Sequence, residues 1–275
     1  QDAGMDERPV LVLGSTGTVG RRVTRQLRER GHAVRAGSRS GDVPFDWFDP
    51  HTWKPAVSGA GAVFVMAPDG VPVADGFVDM AVAEGVSRFV LLSSKAVDVM
   101  GDERLLAAER AVTSSGAEWT VVRPDWFDQN FDEGFLRAAV LAGEIVLPLG
   151  DMRQAFNDAG DIAAVAVAAL TGDGHAGRTY ELSGPDALSF GEAAAVIACA
   201  SGRKVRYRGE PDAYLETMTG LGLDRAQVLA EIEAFEALRA TGDATPNDVV
   251  AEVAGRPPVS FETYVRAAAE RGAWA

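Results

Sequence analysis

The sequence predicts an α/β fold in which a doubly wound parallel sheet precedes a smaller, mostly helical C-terminal lobe. Through the first two-thirds of the chain, short apolar segments alternate with helical ones, as they do in right-handed βαβ units. A glycine-rich stretch separates the first apolar segment from the first helical one. Beyond Pro124 the alternation loosens, which predicts that a lobe of different construction follows the sheet.

Six strands are predicted in the sheet region, because short and continuous apolar segments are typical of strands buried on both faces. They span residues 9–14, 32–39, 43–49, 61–68, 87–94 and 118–124. The helix after the first strand has one apolar stripe of Val19, Val23 and Leu27, and Gly31 ends it. Further helices are expected at residues 51–57, 76–85 and 102–116.

The rest of the chain contains capping residues that mark where helices begin. One helix is expected to begin at Asp161, and the Ser189–Glu192 capping box opens the next. Asp224 and Ser260 are expected to cap two later helices, and a strand is expected at residues 179–185.

The predicted division is residues 1–150 for the sheet domain and residues 151–275 for the lobe, part of which returns to the sheet. Met5 is the expected natural start, with residues 1–4 an added extension.

Composition narrows the classes of partner. The 275 residues carry a net charge of −14, which disfavours nucleic acid and anionic membrane surfaces. Three histidines and one cysteine argue against a metal site and a disulfide, and Cys199 is expected to be an inert core thiol. No apolar stretch reaches the ~20 residues of a membrane span, and no signal peptide is evident. We expect a cytoplasmic protein that binds a small-molecule substrate; the sequence indicates no oligomeric state.

The glycine-rich stretch has the spacing G-x-x-G-x-x-G. Glycines also occur at simple strand-to-helix turns, but here a strand precedes, a helix follows and a second strand lies about twenty residues on, as a dinucleotide fingerprint requires. Glycine permits the tight turn and the close approach of backbone to pyrophosphate, which the N–H groups at the helix start then hold. The predicted cradle of a Rossmann-type domain is Gly14, Ser15, Thr16, Gly17, Thr18, Val19 and Gly20.

The end of the second strand indicates which cofactor is bound. An acidic residue there would accept from a ribose 2′-hydroxyl, whereas arginine pairs with a 2′-phosphate. This chain has Ser38, Arg39 and Ser40, and its nearest carboxylate is Asp42. The pattern favours NADP (as NADPH), the alternative being that Arg39 is an ordinary surface arginine.

Several motifs resemble the NmrA-like branch of the atypical short-chain dehydrogenases. More narrowly, the chain resembles the festuclavine synthase/agroclavine dehydrogenase group of ergot-alkaloid reductases and its bacterial relatives. The motifs are VLVLGSTGTVG, FDWFDPHTW, RFVLLSS, VRPDWFDQNF and NDVVAEVAGRPP, which together cover almost the whole chain. The segments RPDWFDQNF and GRPP are the more specific.

The resemblance implies a role for each part of the cleft. The glycine-rich stretch would bind pyrophosphate, Ser38 and Arg39 the 2′-phosphate, and Asp46 with Trp47 would lie by the adenine. The residues that would approach the ribose and nicotinamide are Met66, Ala67, Pro68, Ser93 and Ser94.

The usual proton donor of short-chain dehydrogenases, a Tyr-x-x-x-Lys motif on the helix after the fifth strand, is missing from that helix. An electron-poor acceptor such as an iminium ion or a quinone would suit such a site, because the enzyme then contributes mainly proximity and orientation. The candidate catalytic residues are Ser93, Lys95 and Asp125. Lys95 is equally well explained as a surface lysine, and Asp125 as a helix cap.

Aromatic residues after Pro124 offer a flat surface for a planar substrate. The candidate substrate-binding residues are Trp126, Phe127, Asn130 and Phe131, with Phe135 nearby. Core packing is the alternative for the rings, and capping for Asn130. A different class of function also fits, namely a non-enzymatic NADP-binding redox sensor of the NmrA type. The sequence favours the reductase, because the aromatic segment indicates a small-molecule pocket.

Overall fold

The computed structural model describes residues 8–275, so the expectations for residues 1–5 lie outside the described residues. Eleven strands are present in this range: β1 Val10–Leu13, β2 Val34–Ser38, β3 Val43–Pro44, β4 Ala62–Val65, β5 Arg88–Leu92, β6 Glu118–Pro124, β7 Glu144–Val146, β8 Arg153–Gln154, β9 Arg178–Leu182, β10 Leu188–Ser189 and β11 Arg206–Arg208. Seven of them form one parallel sheet in the order β3-β2-β1-β4-β5-β6-β9. The predicted doubly wound α/β class is confirmed.

The same range contains twelve α-helices: α1 Thr18–Glu29, α2 Trp53–Val57, α3 Phe77–Ala83, α4 Val97–Met100, α5 Glu103–Thr113, α6 Arg137–Ala142, α7 Ala159–Thr171, α8 Phe190–Ser201, α9 Pro211–Gly220, α10 Arg225–Arg239, α11 Val249–Ala254 and α12 Phe261–Glu270. Short 3-10 helices occupy Pro50–Thr52 and Asp128–Phe131.

Strand β1 shows how the sheet is buried on both faces. Successive side chains of a strand point to opposite sides. Val10 and Val12 therefore pack with α1, α7 and α11, whereas Leu11 and Leu13 pack with α2, α3 and α5. The strand can be continuously apolar because neither face meets water.

A further core forms the lobe. Phe131, Phe156, Phe190 and Phe261 are its centre, with ring centroids of neighbouring pairs 5.1–5.9 Å apart. This core takes residues from both sides of residue 150, while α7, β9 and α11 belong with the large sheet. The division into two domains at residue 150 stays a prediction.

Three expectations about local structure are corrected. The third strand covers only Val43–Pro44 of residues 43–49, because the Asp46 carboxylate accepts from Phe48 N–H and closes a turn. Helix α7 begins at Ala159 with Asp158 as its cap, and Asp161 lies buried inside its first turn. Cys199 is exposed, because α8 turns Ala193, Ala194 and Ile197 to the core and Cys199 outward.

The other predicted caps are confirmed. Ser189 and Glu192 form the reciprocal capping box of α8. The Asp224 carboxylate accepts from two N–H groups of α10, and Ser260 caps α12.

Within residues 8–275 no helix is long and apolar enough to cross a membrane, and no three metal-ligating side chains of His, Cys, Asp or Glu converge. The cytoplasmic location stays a prediction.

Candidate cofactor and substrate site

A cleft of about 1100 Å³ opens beyond the carboxyl ends of the central parallel strands. Its walls come from the start of α1, from the segments that follow β4, β5 and β6, and from residues 241–247. Open α/β sheets bind ligands at this edge, at the point where the strand order reverses. Here the reversal falls between β1 and β4.

The glycine cradle begins at the end of β1. Gly14 has φ +64°, and a methyl group on it would lie 2.1 Å from Met66 Sδ. A methyl on Gly20 would lie 2.1 Å from Gly14 O, so glycine is required here for close packing of α1 against the turn. Gly17 is the extended N-cap of α1, and no side chain caps the helix.

These features fit a bound pyrophosphate. The uncapped N–H groups of α1 and the positive end of its dipole face the cleft near Thr18 and Val19. In the described part of the chain, the buried Ser15 hydroxyl oxygen of the cradle has no hydrogen-bond partner, and a phosphate oxygen beside it would supply one.

The second strand ends in a tight turn at Ser38, whose hydroxyl accepts from Ser40 N–H at 3.2 Å. Arg39 is exposed, and among residues 8–275 it has no hydrogen-bond or ion-pair partner. The neighbouring carboxylate of Asp42 is paired with Arg28 instead. The guanidinium of Arg39 is thus free to bind a phosphate at this position.

Asp46 and Trp47, which the resemblance places by the adenine, lie in the turn after β3. The Trp47 indole is buried against Phe45 and Phe77, with ring centroids 4.8 and 5.0 Å away, and its N–H donates to Met66 O. Trp47 therefore supports the turn rather than offering an open ring face. Contact of this turn with adenine stays a prediction.

The segments after β4 and β5 line the middle of the cleft with Met66, Ala67, Pro68, Ser93, Ser94 and Lys95. Ser93 is buried, and its hydroxyl donates to Glu109 Oε1 at 2.5 Å. The Ser94 hydroxyl donates to the main-chain carbonyl of Lys95.

Lys95 and Asp125 form an ion pair in the wall of the cleft. Lys95 Nζ donates to Asp125 Oδ2 at 3.1 Å, and Asp125 Oδ1 accepts from Trp126 N–H at 2.9 Å. Burial raises the pKa of Asp125, and the nearby Lys95 charge partly opposes that rise. Lys95 is therefore not a plain surface lysine, and Asp125 does not cap the following 3-10 helix, whose N-cap is Phe127.

The backbone beside this pair is strained. Ala96 has φ +57°, the single non-glycine residue with positive φ in residues 8–275. The left-handed conformation costs an alanine about 1–2 kcal/mol. Strain of this kind concentrates at functional sites, where the surrounding structure holds it in place.

The aromatic residues after β6 divide between cleft and core. Trp126, Phe127 and Asn130 line the cleft. Phe131 does not, because it is 0 % exposed at the centre of the lobe core, which corrects its predicted contact with substrate. Phe135 takes that place at the cleft, where its ring is 60 % exposed and lies 6.2 Å from Trp126.

Sequence reasoning missed the wall formed by residues 241–247. Asp243 accepts from Arg153 N–H, and Ala244 N–H donates to Arg153 O, so β8 holds this segment on one side. Asn247 N–H donates to Ser183 Oγ at 2.6 Å and holds the other end. The segment has no periodic pattern, and its only sequence signal is that Asn247 begins the motif NDVVAEVAGRPP.

Comparison with known proteins identifies the family. A profile described as NAD(P)H-binding matches residues 14–173, more than half of the chain. The chain belongs to this NAD(P)H-binding family. The matched residues span the glycine cradle, the β4 and β5 ends and the Lys95–Asp125 pair.

Relatives within the family match almost the whole chain. An uncharacterized oxidoreductase, YesF, of Bacillus subtilis is 33% identical and covers 98% of each chain. An NAD(P)H azoreductase of Xenophilus azovorans is 33% identical over 94% of this chain and 97% of its own. Festuclavine synthase I of Penicillium roqueforti is 30% identical over 93% and 96%, which confirms the resemblance to that group. The chain is accordingly an NAD(P)H-dependent oxidoreductase.

Solved structures share the fold. The quinone oxidoreductase QOR2 of Escherichia coli superposes with a TM-score of 0.73 at 21% identity, covering 93% of this chain and 98% of its own. The transcriptional regulator NmrA has a TM-score of 0.69 at 16% identity, with 96% of each chain covered. The NmrA-like architecture is confirmed.

Proposed function

We propose that this protein is an NADPH-dependent reductase that transfers hydride to a planar, electron-poor small molecule such as an iminium ion or a quinone. One observation carries the proposal: the glycine cradle, the Lys95–Asp125 pair and the aromatic wall of Trp126 and Phe135 all face one cleft. A dinucleotide held at the cradle and a flat substrate held at the wall would meet beside the ion pair.

The choice of NADPH over NADH is supported by the free guanidinium of Arg39 and by the pairing of Asp42 with Arg28. No other carboxylate of the 38–42 turn is available to accept from a ribose 2′-hydroxyl. When bound, the cofactor supplies the hydride. The protein's part is to hold the reactive carbon of the cofactor against the acceptor and to exclude water.

Lys95 supplies what a quinone acceptor needs besides hydride. Hydride addition to a quinone leaves a negatively charged oxygen, and the ammonium of Lys95 can stabilise that charge and give it a proton. Asp125 holds the ammonium in place through its 3.1 Å hydrogen bond. An iminium acceptor becomes neutral on hydride addition and needs no proton. Among residues 8–275 no tyrosine lines the cleft, so the proposal assigns the proton to Lys95.

The test is turnover of NADPH, followed by its absorbance, against a panel of quinones, iminium compounds and azo or cationic dyes. The relatives make this choice of panel natural, because one is named an azoreductase and another a festuclavine synthase. We expect turnover of at least one planar acceptor, with NADPH preferred to NADH.

A second role for the same site is sensing of the redox state of the bound cofactor. The structural likeness to the regulator NmrA favours it. Markedly different affinities for the oxidised and reduced forms of the cofactor, measured beside turnover, would support this second role.

A further inference from the structure

Behind the end of β5 lies a chain of polar contacts that the proposed reaction does not use. It joins Ser93 after β5, Glu109 on α5 and Arg123 on β6. Ser93 Oγ donates to Glu109 Oε1 at 2.5 Å. Arg123 Nε and Nη2 donate to Glu109 Oε1 and Oε2 at 2.9 and 2.6 Å. All three side chains are largely buried.

These contacts determine whether the Ser93 hydroxyl donates or accepts a hydrogen bond toward a ligand. A carboxylate whose two oxygens both accept from a guanidinium acts as a hydrogen-bond acceptor toward its other neighbours too. The single proton of the Ser93 hydroxyl is therefore committed to Glu109. Ser93 lines the cleft, and what remains for a ligand is the pair of acceptor positions on its oxygen.

Arg123 also contacts a second helix, α4. Its Nη1 lies 3.1 Å from Asp98 Oδ2 on α4, the helix that follows the strained Ala96 turn. One guanidinium thus connects α5, β6 and α4. Glu109, and through it Arg123, are therefore connected to the cleft by Ser93, which is part of its wall.

We propose, on the basis of the proposed function, that Ser93 accepts a hydrogen bond from the nicotinamide riboside half of the cofactor. Glu109 and Arg123 are then positioning residues, because they hold the Ser93 hydroxyl in this acceptor orientation. The group that Ser93 holds is an N–H of the carboxamide or an O–H of the ribose, both of which are donors. Ser93 then cannot serve as a proton donor, which leaves that role to Lys95.

The test measures binding rather than turnover. Affinity for NADP⁺ is determined by calorimetry for the wild type, Ser93→Ala, Glu109→Gln and the double variant. The control is Glu103→Gln, on the same helix but exposed and, within residues 8–275, paired only with Arg110. We expect each single variant to bind about fivefold more weakly, the factor that one hydrogen bond represents. The double variant should lose no more than Ser93→Ala alone, and Glu103→Gln should bind like the wild type.

Losses that multiply in the double variant, or full affinity in Ser93→Ala, would overturn the proposal. Should Glu109→Gln fail to fold because Arg123 loses its buried carboxylate partner, the Ser93→Ala variant alone tests the proposal, since it keeps the Glu109–Arg123 pair.

The 3-acetylpyridine analogue of NADP⁺ lacks the carboxamide N–H. Its binding therefore shows whether Ser93 accepts from the carboxamide N–H or from a ribose O–H. A carboxamide donor predicts that the wild type prefers NADP⁺ and that Ser93→Ala loses this preference. A ribose donor predicts that Ser93→Ala weakens both ligands equally. Equal, unweakened binding of both ligands by Ser93→Ala contradicts the acceptor role. A wild type that binds NADP⁺ but reduces nothing refutes the reductase function and leaves these binding results unaffected.

Discussion

Lys95 Nζ lies 3.1 Å from Asp125 Oδ2, so a cation and a buried carboxylate face the cleft as one paired unit. The two residues come from the ends of neighbouring strands, β5 and β6, thirty positions apart in the chain. A lone buried carboxylate would be unfavourable, and burial does raise the pKa of Asp125. Pairing keeps the lysine ammonium at the wall of the cleft, where the proposed function requires it.

Replacing Lys95 by Met should separate the two acceptor classes. We expect kcat with a quinone to fall by about 100-fold, at the low end of what general acid catalysis contributes. With an iminium acceptor kcat should fall less than about threefold, because its reduction needs no proton. The matched control is Lys54→Met, an exposed lysine paired with Glu84 on the surface. Equal losses with both acceptors would mean that Lys95 binds substrate instead of donating a proton.

Arg39→Asp should change the cofactor preference. Because Arg39 is the free cation at the end of β2, the substitution places a negative charge where the 2′-phosphate would lie. The ratio of kcat/KM for NADPH to that for NADH should fall at least about tenfold, the scale of one charge-assisted contact. Arg30→Asp, at the far end of α1, serves as the control for net charge. An unchanged ratio would refute the assignment of Arg39.

Phe135 and Phe131 form a matched pair of aromatic residues four positions apart. Phe135→Ala should raise KM for a planar substrate about tenfold and leave the melting temperature nearly unchanged, because its ring is exposed at the cleft. Phe131→Ala should lower the free energy of unfolding by about 3–5 kcal/mol, the usual cost of such a cavity. Kinetics and thermal unfolding of both variants check this, and a stability loss at Phe135 would contradict it.

Asp128 predicts a dependence of stability on pH. It is fully buried, and both its oxygens lack a partner among the described residues. Burial first, and then the nearby Asp158, Asp161 and Asp132, raise its pKa well above the ordinary value. The folded protein therefore holds the Asp128 proton more tightly than the unfolded chain does. This contribution to stability is complete below the ordinary pKa of about 4 and is lost as pH rises through the folded-state pKa.

Asp128→Asn cannot ionise and should remove that loss. We expect the variant to be more stable than the wild type at neutral pH by about 1–3 kcal/mol and close to it near pH 4. Chemical unfolding across this pH range measures the difference. Asp186→Asn, an exposed position, is the control. A wild type and an Asp128→Asn variant with parallel pH profiles would show that Asp128 does not titrate in this range.

Local patterns predicted the sheet region well because each pattern has a local cause. Val19, Val23 and Leu27 lie on one face of a helix through their spacing alone, and Gly14 and Gly20 are required by the turn they build. The capping box of Ser189 and Glu192 likewise acts across three residues. Where local signals compete, prediction failed: Asp158 and Asp161 are both suitable caps, and only the backbone shows which one precedes the helix.

The sequence by itself determined the dinucleotide cradle, the order of strands and helices that builds the parallel sheet, and the presence of an arginine directly after the second strand. Only the tertiary structure decided which side chains meet. It pairs Lys95 with Asp125, directs the Ser93 hydroxyl proton to Glu109, exposes Phe135 and Cys199, buries Phe131, and makes residues 241–247 a wall of the cleft. The reason is physical: periodicity records which face of one element is apolar, whereas hydrogen bonds and burial across elements depend on how distant segments pack together.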